Sequence, residues 1–227
     1  MEKFLFRNKV FEAILFILTF LSVLYANYLI FLVVPNERVM GPVQRIFYFH
    51  VGCAIATYFS VAILLMSALG HFSNKHFLWD ILGKVAGEVA LVFCLIVMIT
   101  GMIWGHSAWN TWFRWEPRLV TFLILLLILL GLNLLRSFGD KDKIPNQAAV
   151  FSILAAINVP LVVFSVKILP KAAQLHPQVV QDRGLKDPSF VHAMIVSMIA
   201  MILLQFLLTW VAGKIELKKI ERELNLT

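Results

Sequence analysis

The chain reads as an all-α, polytopic membrane protein of six transmembrane helices, with a short tryptophan-rich helix between the third and the fourth. Three observations predict this. Hydrophobic residues make up 60% of the 227, charged residues 15%, and mean hydropathy is +0.85, whereas soluble domains are near half apolar and a quarter charged. The charges are segregated and leave several apolar runs of about twenty residues, the length a helix needs to cross hydrocarbon. Those runs are continuous rather than alternating, which fits helices and excludes a closed barrel, the other structure whose backbone satisfies itself in lipid.

The first span covers about residues 10–34 and is ended by Pro35 and Asn36. Its basic start resembles a signal peptide, but the apolar run outlasts a signal core and no small-residue cleavage site follows, so it is expected to be retained. The other spans fall at about 46–69, 81–103, 119–135, 148–169 and 191–212. Pro160 should kink or interrupt the fifth. The polar connections are 35–45, 70–80, 136–147 and 170–190, and the tail GKIELKKIERELNLT reads as a short charged helix. Residues 1–227 are expected to form one integral-membrane domain.

Twelve of the 20 Lys and Arg fall on the side that holds the N-terminus, the links 70–80 and 136–147, and the tail; eight fall on the other. The excess of positive charge places both termini in the cytoplasm, and the connections 35–45, 104–118 and 170–190 outside. The net charge of +7 is grouped at helix ends, as orientation signals and lipid-headgroup contacts are; there is no basic stripe and no nucleic-acid motif. The two cysteines, Cys53 and Cys94, lie inside apolar runs without a CxxC or CxxCH pattern, which argues against thiol redox chemistry and covalent haem attachment.

The richest stretch is 104–118, WGHSAWNTWFRWEPR, which holds four of the six tryptophans: Trp104, Trp109, Trp112 and Trp115. Trp109, Trp112, Phe113 and Glu116 recur at three and four residues, so one face of a short surface helix would present them. Two readings stand. The face rests in the headgroup region as an interfacial anchor, or it is a flat, shallow aromatic shelf for a large planar ligand. Of six histidines, His71 and His76 sit in a connection expected to be solvated. His50 lies one turn into the second span, where an ionisable residue marks a functional site by default, and His176 lies in the connection 170–190. Both fall on the outer side, with the tryptophans between them in sequence. Imidazole is a usual axial ligand of haem iron, and Arg38, Arg45, Arg114, Arg118 and Lys171 are available for propionates. Zinc would require three or four ligands at short spacing, and no HxxxH or HExxH occurs. No GxxxxGK[ST] nucleotide loop is present either.

The stretch WGHSAWNTWFRWEPRL resembles the tryptophan-rich WWD signature of haem-handling membrane proteins, in the form seen in the cytochrome c maturation protein C (haem exporter protein C) family. The match takes in Trp104, Gly105, Trp109, Thr111, Trp112, Trp115, Arg118 and Leu119 at the same spacing. Glu116 stands where the family has Asp, Asn110 replaces a Gly and Phe113 a Trp, and Pro117 follows the form of related families. The resemblance implies a component of System I cytochrome c biogenesis in the bacterial inner membrane, multi-pass, with its working face periplasmic and without enzymatic chemistry of its own. It implies haem b, non-covalent and in transit, with His50 and His176 as axial ligands. Trp104, Gly105, Trp109, Trp112, Phe113, Trp115, Glu116 and Arg118 would cradle the porphyrin. The implied partners are the haem chaperone (maturation protein E), the ABC-type ATPase and its membrane subunit (A and B), a small single-span subunit (D) and membrane lipid, with no nucleic acid. The alternatives are a System II-type WWD synthetase component, a six-span ABC permease subunit, or a lipid-active enzyme using Glu116 or His106 as general acid or base.

Overall fold

A computed structural model of the protein describes residues 6–37, 40–167 and 187–225. Six helices among these residues are long and apolar enough to cross a membrane. They are α1 (Lys9–Tyr28, continued by the π-helical turn Leu29–Val33), α2 (Ile46–Asn74, preceded by the 3₁₀ turn Pro42–Arg45), α3 (Phe77–Trp109), α4 (Pro117–Phe138), α5 (Ile144–Phe164, followed by the 3₁₀ turn Ser165–Lys167) and α6 (Pro188–Asn225).

Several helices outrun the apolar spans, because a helix does not stop where the hydrocarbon does. The connection expected at 70–80 is almost entirely helical. α2 ends when Lys75 turns left-handed (φ 51°) with its N–H on the His71 carbonyl, and His76 then caps α3 by accepting from the Leu78 N–H. α6 has 38 residues, about 57 Å of helix, so the last span and the charged tail are one continuous element. α5 passes through Pro160 without interruption.

The short tryptophan-rich helix does not form. α3 instead runs on through Trp109 and stops at Asn110, which takes the left-handed conformation (φ 53°) and donates its N–H to the His106 carbonyl. Asn tolerates that conformation through its short polar side chain. At the other end Glu116 precedes Pro117 and is held extended (φ −89°, ψ 147°), as a residue before proline is. Between these two stops too little chain remains for a helix, and it crosses as an irregular strap.

α2 is central and packs against α3, α5 and α6; α4 packs against α3 and α5, and α1 lies against α6. Lipid supplies no hydrophobic drive between helices, so association depends on close packing of small residues. Ala56, Ala86, Ala90, Ala148 and Ala155 are buried in the main core. Gly52 brings α2 against α6, since a β-carbon there would lie 2.8 Å from Met201 Cγ and 3.1 Å from the Ser197 carbonyl. Cys53 and Cys94 are free and buried in this core.

The end of the bundle where α1 begins and α6 leaves carries four ion pairs between elements distant in sequence. Lys84 meets Glu216 at 2.6 Å, Lys214 meets Glu12 at 2.5 Å, Arg136 meets Asp80 at 2.9 Å, and Arg7 pairs with Glu221. His71 belongs to this end and is not solvated as its sequence context suggests. It is buried, with Nε2 2.9 Å from Asn146 Oδ1, because α2 continues past the point where its apolar run ends.

Candidate functional site

At the opposite end of the bundle, α2, α3, α4 and the strap 110–116 enclose a pocket of about 820 Å³, counting its open mouth. Its α2 wall is His50, Ala54 and Tyr58, spaced four residues apart on one helix face, so the pocket descends about 12 Å along the helix. It is a slot with aromatic walls, not the flat and shallow shelf expected from sequence.

The aromatic residues explain the difference, because their rings do not lie in one plane. Trp104 is buried and meets Trp109 edge-on, centroids 5.5 Å apart and planes at 61°; its other neighbours are Phe47 at 6.0 Å and the His50 ring at 6.3 Å. Trp112 is half exposed and stacks on His106 at 4.1 Å with the planes 5° apart. Trp104, Gly105, Trp109, Trp112, Phe113, Glu116 and Arg118 all line the pocket, and so does His50. Trp115 does not: it is 79% exposed and touches Phe113 edge-on from outside. His176 lies outside the described residues, as do Arg38 and Lys171.

Each polar member is placed by a local feature. His50 has Nδ1 3.1 Å from Thr100 Oγ1 across the α2–α3 contact. Gly101 makes room for the ring, since a β-carbon there would stand 3.0 Å from His50 Cε1. Glu116 is buried, anchors the first turn of α4 by accepting the Val120 N–H on its carbonyl, and has its carboxylate 3.8 Å from Arg114 Nε. Arg118 comes off the first turn of α4 into the pocket and has no ion pair among the described residues. Arg114 is exposed at the rim, whereas Arg45 lies over the Phe31 ring at 5.8 Å, away from the pocket.

Tyr58, Met98, Thr100, Gly101 and Phe122 belong to the site or to its support and are not singled out by sequence reasoning. The signal for Tyr58 is its place two turns below His50 on the same face. For Thr100 and Gly101 it is a polar and a small residue side by side in an apolar run, one turn before Trp104.

The arrangement is one aromatic slot with an imidazole in its α2–α3 wall and a guanidinium at its α4 edge. A family model described as Heme exporter protein C matches residues 2–226. The Heme exporter protein C of Bradyrhizobium diazoefficiens is 33% identical over 133 residues, 58% of this chain and 51% of that protein. A putative cytochrome c biosynthesis ccmC-like mitochondrial protein of Marchantia polymorpha is 31% identical over 141 residues, 62% of this chain and 60% of that one. The Heme exporter protein C of Paracoccus denitrificans is 31% identical over 124 residues, 54% and 52%. The matched stretch spans about half to three fifths of the length of these curated relatives. With six apolar helices, the tryptophan signature folded around a slot, and a family match over almost its whole length, the chain belongs to the Heme exporter protein C family.

Proposed function

We propose that the slot binds haem b non-covalently and in transit, as part of cytochrome c biogenesis. The observation that carries this reading is His50 in the wall of an aromatic slot that also receives Arg118. A porphyrin needs a flat apolar space, an axial base and a cation for its propionates, and these residues supply all three. His176, in the sequence between α5 and α6, is the proposed second axial ligand. The strap 110–116 forms part of the slot's wall, and the haem is held there for a partner to withdraw.

Further parts of the reading rest on the charge distribution and on family membership. The residues form one integral-membrane domain with both termini cytoplasmic and the slot at the periplasmic face of a bacterial inner membrane. The chain works without chemistry of its own, alongside an ABC-type ATPase and its membrane subunit (A and B) and a small single-span subunit (D). It presents haem to a membrane-anchored chaperone (maturation protein E).

The test is the Soret absorbance per protein of the purified chain, compared with His50→Ala and His176→Ala. Loss of haem from either variant is the expected result; full occupancy in both overturns the axial-ligand assignment. Co-purification of the chain with its partners, with haem measured in each, tests the place in the complex.

A further inference from the structure

We infer that Thr100 is a positioning residue for haem capture: its hydroxyl accepts the Nδ1–H of His50 and so leaves Nε2 as the lone-pair nitrogen for iron. The inference rests on His50 being an axial ligand, as proposed above, and adds what makes this imidazole competent.

The direction of the hydrogen bond follows from proton counting. A threonine hydroxyl has one proton and two lone pairs. The Thr100 proton is committed to its own helix, where Oγ1 lies 2.6 Å from the Ile96 carbonyl and 3.3 Å from the Val97 carbonyl. It is therefore not available to His50, whose Nδ1 is 3.1 Å from the same oxygen. The contact is a hydrogen bond only if His50 Nδ1 carries the proton. Neutral imidazole has one N–H, so Nε2 is bare.

Local sequence sets up this geometry. Threonine in a helix readily turns its hydroxyl back onto the carbonyl four residues earlier, which fixes Oγ1 on the side of α3 that meets α2. Gly101 follows and leaves the imidazole room to reach that oxygen, since any β-carbon would press on Cε1 at 3.0 Å. Thr100 and Gly101 thus act as a pair, one accepting the proton and the other clearing the approach. A partner on the far nitrogen holds a ligating histidine in one tautomer and orientation and raises its basicity. That favours ferric over ferrous iron, which bears on haem that must be held and then released.

The experiment is titration of hemin into the purified full chain in detergent, with the midpoint potential of the bound haem measured in parallel. The variants are wild type, Thr100→Val, Thr100→Ala, Thr100→Ser and His50→Ala. Thr100→Val keeps the shape and loses the acceptor, and its hemin affinity is expected to fall about 10–100-fold with the potential shifted upwards. Thr100→Ala gives the same result should the valine variant aggregate, and Thr100→Ser restores both readings. Wild-type affinity and potential in the hydroxyl-free variants, with haem lost in His50→Ala, overturn the role of Thr100 alone. A serine variant as impaired as the valine variant overturns it too, because the methyl group rather than the hydroxyl is then at work. Undiminished hemin binding by His50→Ala overturns the axial-ligand reading itself.

Discussion

Gly105 lies directly beneath the Thr111 carbonyl: a β-carbon on Gly105 would stand 3.1 Å from that oxygen. The last turn of α3 and the start of the strap therefore touch backbone to backbone, and the strap's height over the slot is set by a missing side chain. Gly105→Val forces the strap outwards. Overpacking of this kind costs about 1–3 kcal/mol, and 1.4 kcal/mol is about tenfold in affinity. Hemin affinity is expected to fall about tenfold with helix content by circular dichroism unchanged. An unaltered titration would mean that the strap does not set the width of the slot.

Arg118 enters the slot without an ion pair among the described residues. If it meets a propionate, Arg118→Leu removes a charged hydrogen bond worth about 1.5–3 kcal/mol and lowers hemin affinity by about tenfold or more. Arg118→Lys recovers only part, because an ammonium cannot hold a carboxylate bidentately. The dimethyl ester of hemin, which has no propionate charge, should bind wild type and Arg118→Leu alike. Equal losses for both porphyrins would place Arg118 in a packing role.

Trp115 and Trp112 belong to the same sequence signature but occupy different places. Trp112 lines the slot against His106, and Trp115 faces away with 79% of its surface exposed. Trp115→Ala should leave the Soret absorbance per protein close to wild type, while Trp112→Ala, which also frees the His106 ring, should reduce it several-fold. A haem loss as large in Trp115→Ala as in Trp112→Ala would show that the strap closes further over the ligand than the structure has it.

Much of the architecture is legible in the sequence because hydrocarbon imposes so simple a demand: each apolar run of sufficient length becomes a helix. The edges are not legible in the same way. Nothing in composition indicates that α2 continues to Asn74, so His71 reads as solvated when it is buried on Asn146. The spacing of Trp109, Trp112 and Glu116 suggests a surface helix, yet Asn110 and Pro117 stop helices from both sides. The local stops win because only five residues lie between Asn110 and the extended Glu116. The slot is legible in outline, since His50 and the tryptophans can be picked out along the chain. Its depth is not, because Tyr58, Thr100 and Gly101 acquire their roles only when α2 packs on α3.

The ion pair Arg136–Asp80 tests whether the two ends of the bundle are energetically separate. Arg136 has a side chain 8% exposed, reaches Asp80 Oδ1 at 2.9 Å through Nη1, and has its Nε buried without a partner. Asp80→Ala leaves that guanidinium unpaired. Breaking a buried pair from one side costs about 3–5 kcal/mol, and the lower end applies here because water reaches the Asp80 side chain, which is 35% exposed. Thermal unfolding should therefore occur at clearly lower temperature in Asp80→Ala. Removing both charges, in Asp80→Leu with Arg136→Met, should recover most of the loss, since replacing both members of a buried pair with apolar groups is often neutral. Neither variant touches the slot, which lies at the other end of the helices, so hemin affinity well below the unfolding temperature should stay at the wild-type value. A fall in affinity that tracks the loss of stability would mean that the slot and the charged end respond as one unit through α2, α3 and α4.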